Sequence, residues 1–197
     1  MHFATRAKNI LFQPGSEWPA VSAEGTCAAS LCTGYVLIMI SMQTLCLMLG
    51  LFVAGNFGQD IGIGIVVAVC VAGFTLALLF TFSFALFTNR LARCFGAEAN
   101  YIRALQLVGY ASTPSWIGGA FGLVPFVGET VSVLAGIYGL YILHLGVPVM
   151  MRVPEGRVFR FTAILVFGAV ILAMLVGAIQ ITIAGLATAG VRSTAIS

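Results

Sequence analysis

The chain has 197 residues, of which 60% are hydrophobic and only 8% charged, and its mean hydropathy is +1.09. Soluble domains carry about 25% charged residues, so a water-soluble globular fold is excluded and an all-α, polytopic membrane protein is expected. The net charge of +3 is small, and no nucleic-acid partner is expected.

The first 26 residues are the only sizeable polar stretch. Phe3, Ala7, Ile10 and Leu11 share one helical face, with Arg6 and Lys8 elsewhere, the pattern of a short amphipathic helix at a membrane interface. Pro14-Gly15-Ser16 should break it. Ser16 is placed to cap a second short helix carrying Trp18, a residue type that anchors at interfaces. Residues 1–28 are read as a cytoplasmic or interfacial segment, 29–190 as the membrane domain and 191–197 as a tail.

Beyond this segment, charged residues fence off five apolar intervals, each able to hold the roughly 20 residues that cross a bilayer core. The expected spans are 31–55, 62–88, 103–124, 128–151 and 161–184. Backbone groups in lipid must pair within their own segment, so the spans are helices packed into one bundle. Arg6, Lys8, Arg90, Arg93, Arg103, Arg152, Arg157 and Arg160 then fall on one side, leaving only Arg192 of the nine basic residues on the other. By the positive-inside rule the N-terminus is cytoplasmic and the C-terminus periplasmic or lumenal. Arg90, Arg93, Arg103, Arg152, Arg157 and Arg160 are candidate contacts to anionic headgroups.

The first span offers Ser41, Gln43 and Thr44 for bonds between helices. In the second, Gly64, Ala68 and Ala72 form a smooth stripe, and in the fifth Ala169, Ala173 and Gly177 repeat it. Such stripes let helices approach closely where lipid gives no hydrophobic drive. Five cysteines scattered through apolar sequence form neither a disulfide framework nor a zinc-ligand pattern. Only Cys94, beside Arg90 and Arg93, is positioned for lipidation. No metal site and no cofactor is expected.

The specific part of the chain runs from Leu105 to Met151, a hairpin of two spans around Val124-Pro125-Phe126 and Glu129. Pro114 stands inside the first of them and crowds the carbonyl of Tyr110. Ser112 and Thr113 are the nearest hydroxyls able to satisfy that carbonyl. The second is rich in glycine, with Gly136 the expected tight contact. His144 lies inside its cytoplasmic end, and an ionisable residue within a membrane is a candidate functional group. Glu129 is expected as a charge favoured by a helix N-terminus.

Gly109-Tyr110 with Pro114, Tyr138-Gly139-Leu140-Tyr141 and Leu145-Gly146-Val147-Pro148 together resemble the Yip family, the Ypt/Rab-interacting membrane proteins, in its bacterial form. Asn9-Ile10-Leu11-Phe12-Gln13-Pro14 followed by Glu17-Trp18 is similar to the same form. The resemblance implies five spans, a cytoplasmic N-terminus and a bacterial inner membrane. Gly109, Tyr110, Pro114, Tyr138, Gly139, Tyr141, Gly146 and Pro148 of these motifs, with Gly136 and His144 read from the fourth span itself, are the candidate interaction residues. Eukaryotic relatives bind prenylated Rab GTPases. The chain lacks their long acidic N-terminal domain and their Asp-Leu-Tyr-Gly-Pro element, which counts against a Rab partner.

No catalytic constellation is legible: there are no paired intramembrane carboxylates, no nucleophile triad and no phosphate-binding glycine loop. The expected function is that of a non-catalytic protein organising membrane by binding lipids, other membrane proteins or copies of itself. The alternative is a transporter of small solutes, ions or lipid that uses the Pro114 break and the glycine-rich fourth span, since broken helices are a transporter device.

Overall fold

The computed structural model describes residues 3–24, 28–56, 62–123 and 127–194. Among these the chain is helical, without strands. In order, the helices are α1 (Phe3–Phe12), α2 (Pro14–Ala23), α3 (Ala28–Leu31), α4 (Leu37–Asn56), α5 (Ile63–Cys94), α6 (Tyr101–Ala111), α7 (Thr113–Ala120), α8 (Val127–Met151) and α9 (Val158–Thr194). A π turn, Cys32–Val36, joins α3 to α4. Cys27, Asp60 and Val124-Pro125-Phe126 lie outside the described residues, as do the side chains of Glu129 and Arg192.

Four helical stretches are long and apolar enough to cross a membrane: Cys32–Val53, Ile63–Cys94, Thr130–Met150 and Glu155–Leu186. The expectation of five helices each long enough to span is corrected to four among the described residues. Residues 103–124 are not one helix. They form α6 and α7, with the break at Ser112, two residues before Pro114. The pair runs antiparallel along α8. Leu107 lies against Gly146, Ala111 against Gly139, and Gly118 against Ser132 and Ala135.

Local sequence fixes the ends of these helices. Asn100 caps α6, its Oδ1 accepting from the backbone N–H of Ile102 at 3.0 Å and of Arg103 at 3.2 Å, which satisfies two otherwise orphaned donors. At the end of α5, Gly96 adopts φ +68, and Ala97 N–H reaches Ala92 C=O at 3.0 Å. This is the Schellman closure that glycine permits without steric strain. The α5–α6 loop is tied to the end of α8, where Glu98 N–H donates to Met151 C=O at 2.9 Å.

The core gathers at the end of the bundle that carries these loops. Residues 104–111 of α6 are all buried, between α5 and α8 with α1 and α3 alongside. Elsewhere large apolar side chains face outward, as with Ile63, Val67 and Val71 on α5 and Met174, Ile179 and Ile181 on α9. Lipid, not protein, covers such a surface in a spanning helix.

The small-residue stripes do not make the expected seams. Gly64 and Gly177 have no atom within 4 Å of a built Cβ, and only Ala169 of the second stripe is buried. α5 and α9 meet instead through larger groups. Phe87 sits over Gly168, and Gln180 Nε2 donates to Val69 C=O at 2.9 Å. A stripe permits close approach, but its partner's shape decides whether approach occurs.

The N-terminal helices are part of the core. Gln13 leaves helical geometry (φ −140, ψ 53) ahead of Pro14, which opens α2 at its first position, as the clash between proline and its predecessor requires. Ser16 is therefore not the cap; its hydroxyl donates to Gln13 C=O at 3.1 Å. Trp18, expected at an interface, is fully buried, and its Nε1 donates to Ile142 C=O of α8 at 3.2 Å.

Candidate functional site

The break in the α6–α7 crossing is built as the sequence requires. Pro114 has no N–H to offer the Tyr110 carbonyl, and Thr113 Oγ1 donates to that carbonyl instead, at 2.7 Å. Ser112 supplies the neighbouring bond, Oγ to Val108 C=O at 2.8 Å. Because the Thr113 proton is committed, the 2.7 Å contact between Tyr35 and Thr113 has the Tyr35 hydroxyl as donor. Tyr35 also meets the Tyr110 ring edge-on, with centroids 4.7 Å apart. The hydroxyls of Tyr35, Ser112 and Thr113 are thus engaged with protein rather than turned toward a path.

Next to the break lies a small cavity of about 80 Å³, lined by Ser112, Ser115, Gly136, Gly139 and apolar side chains of α5, α6, α8 and α9. Among the candidate glycines, Gly139 and Gly146 are the close contacts. A Cβ on Gly139 would come within 2.8 Å of Ala111 C=O, and one on Gly146 within 2.5 Å of Leu107 and 2.6 Å of Trp18. Gly136 is not the tight position expected of it, since the nearest atom, Ser115 Oγ, is 4.0 Å away. Gly109 makes an ordinary contact with Val36 at 3.4 Å.

A charged cluster that sequence reasoning missed adjoins this contact. Arg6 is only 4% exposed. Its guanidinium donates to Glu17 at 2.5 Å and to Glu24, and its Cζ lies 5.8 Å from the centre of the Tyr110 ring. Asn9 Nδ2 adds a bond to Glu17 at 3.0 Å. Ions removed from water must be paired and hydrogen-bonded, and this set meets that condition. Tyr138 completes the attachment of the segment, its hydroxyl donating to Leu11 C=O at 2.5 Å. The only hint in the sequence was the seven-residue spacing of Glu17, on α2, and Glu24, just past its end.

The remaining hairpin candidates separate from the break. Tyr141 stacks on Tyr138, with centroids 5.9 Å apart, and is exposed. Pro148 lies inside α8, which continues to Met151. His144 Nδ1 is 3.1 Å from Thr162 Oγ1 of α9. Both line an open groove of about 640 Å³ between α8 and α9, whose other walls are apolar. Pro114 and His144 do not share a site: Pro114 is buried at the kink and His144 faces the groove.

The arginines also divide. Arg103 and Arg152 both contact Glu98 at 3.0 Å. Arg157 Nη1 donates to Phe95 C=O at 3.0 Å. These three hold the loops together. Arg90, Arg93 and Arg160 are exposed. Among the described residues no group of three His, Cys, Asp or Glu side chains converges as a metal site.

Comparison with known proteins gives one informative match. No curated protein matches the chain, and no solved structure matches it. The family model described as the Yip1 domain aligns with residues 8–178, from within α1 to well along α9, taking in the broken crossing and the glycine-fitted hairpin. A match over that length identifies the chain as a multi-pass membrane protein that belongs to the Yip1 domain family.

Proposed function

We propose that this protein is a non-catalytic organiser of the bacterial inner membrane, acting by binding lipid or partner helices rather than by passing solutes. The observation that carries this reading is the state of the Pro114 break. The hydroxyls of Tyr35, Ser112 and Thr113 are spent on internal hydrogen bonds, and the space beside the break is about 80 Å³. A transport path through a broken helix needs polar groups free to replace a solute's hydration. The large apolar surface of α5 and α9 and the basic loops suit contact with acyl chains and anionic headgroups.

The test is reconstitution. Purified protein in liposomes is expected to pass no ions or small solutes above empty vesicles. In a cysteine-free background, a Ser115→Cys variant, placed at the small cavity, is expected to resist water-borne thiol reagents, which need a hydrated thiolate. Labelling at 115 from either side together with measurable flux would make the protein a transporter.

Orientation follows from the basic partition. A reporter fused after Arg160 should report cytoplasm, and one fused after Ala189 the opposite side. Both reporters on one side would overturn the orientation and the crossing by α9.

A further inference from the structure

The groove between α8 and α9 has chemistry that the break lacks. Leu140 and Tyr141 form one wall and Phe159, Val166 and Val170 the other, with the His144–Thr162 pair between them. Its volume of about 640 Å³ falls in the range of about 300–1,000 Å³ typical of small-molecule sites. It is open and lies between two helices long and apolar enough to cross a membrane, which makes lipid the nearest source of an occupant. The polar pair stands toward one end, near the 152–157 connection and the first turn of α9, which together bear Arg152, Arg157 and Arg160.

We infer that this groove is a site for one anionic phospholipid, with an acyl chain along the apolar walls and the headgroup phosphate on Arg160. Charge complementarity selects Arg160. Arg152 shares Glu98 with Arg103, and Arg157 is held to Phe95 C=O. Arg160 is exposed on the same turn of α9 as Phe159 and Thr162, and no ion pair engages it among the described residues. The carboxylate in this connection, Glu155, is exposed in the short turn Glu155–Arg157. The His144–Thr162 pair provides hydrogen-bonding atoms where the glycerol esters would lie, between an apolar wall and a charged mouth. The inference rests on the lipid-binding reading above and gives it an address.

The experiment uses the full chain extracted from vesicles of equal phosphatidylglycerol and phosphatidylcholine, with retained lipid identified by native mass spectrometry. The expected result is one lipid retained per chain, enriched in phosphatidylglycerol. Ala163 lines the groove and is exposed, so Ala163→Trp should fill the groove without disturbing the core and abolish retention of both lipids. Arg160→Gln should keep the retained lipid but lower the phosphatidylglycerol preference about fivefold, the effect of one basic side chain at a headgroup. Should Ala163→Trp fail to fold, Arg160→Gln alone decides, because it changes an exposed side chain. Unchanged preference in Arg160→Gln overturns the site, as does retention of phosphatidylcholine equal to phosphatidylglycerol in the unaltered protein. Solute flux in liposomes would sink the lipid-binding reading itself, a different outcome from lipid retention without anionic preference.

Discussion

The α6–α7–α8 hairpin and the α5–α9 pair solve the same problem in different ways. Both bring apolar helices together in a solvent that offers no hydrophobic drive between them. The hairpin does so by removing side chains, since Gly118, Gly139 and Gly146 leave no room for a Cβ against their neighbours. It also satisfies its broken backbone with hydroxyls and is sealed by the N-terminal helices through Arg6 and Trp18. The α5–α9 pair also uses glycines, Gly168 under Phe87 and Gly73 against Gln180, but it has no broken backbone to satisfy and leaves much of both helices to lipid. A helix pair in a membrane is tight where backbone geometry and polar satisfaction require a neighbour, and loose where lipid serves as well.

If that contrast holds, damage to the hairpin and its seal should cost far more than comparable damage to the α5–α9 pair. The largest effect is expected from Arg6→Ala, which strands Glu17 in a buried site. Removing one partner of a buried ion pair costs about 3–5 kcal/mol, so the protein should melt well below the unaltered chain in detergent. Unchanged melting would place Arg6 outside the core.

Next comes a matched pair, Gly146→Leu and Gly177→Leu. The first drives atoms into Leu107 and Trp18, and overpacking of this kind costs about 1–3 kcal/mol. The second meets open space and should stay within about 0.5 kcal/mol of the parent. Equal losses would erase the distinction between the two regions.

The smallest effect sharpens the comparison. Thr113→Val keeps the shape but leaves the Tyr110 carbonyl and the Tyr35 hydroxyl short of a partner. A side-chain hydrogen bond within a membrane protein contributes about 1 kcal/mol. A modest fall in melting temperature is expected, largely reversed by Thr113→Ser. No rescue by serine would show that the methyl group, not the hydroxyl, matters at the break.

Much of this was legible in the chain. Composition and spacing identified the membrane class, and Pro114 with Ser112 and Thr113 gave the break and its repair, because the rule linking proline to the carbonyl four residues back is local. The hairpin motifs pointed to the family that the domain match identifies. Gly136, by contrast, was singled out over Gly139 and Gly146, since sequence lists glycines but not what faces them.

Sequence by itself thus determined much of what depends on a residue and its near neighbours in the chain. This covers the long apolar helices and the kink at Pro114. Only the tertiary structure decided what depends on partners far away in sequence. It put Trp18 against α8, made Arg6 a buried ion instead of a surface charge, and kept His144 apart from Pro114. The physical reason is range: backbone hydrogen bonding and steric exclusion act over a few residues, whereas burial and ion pairing depend on which segments the fold brings together.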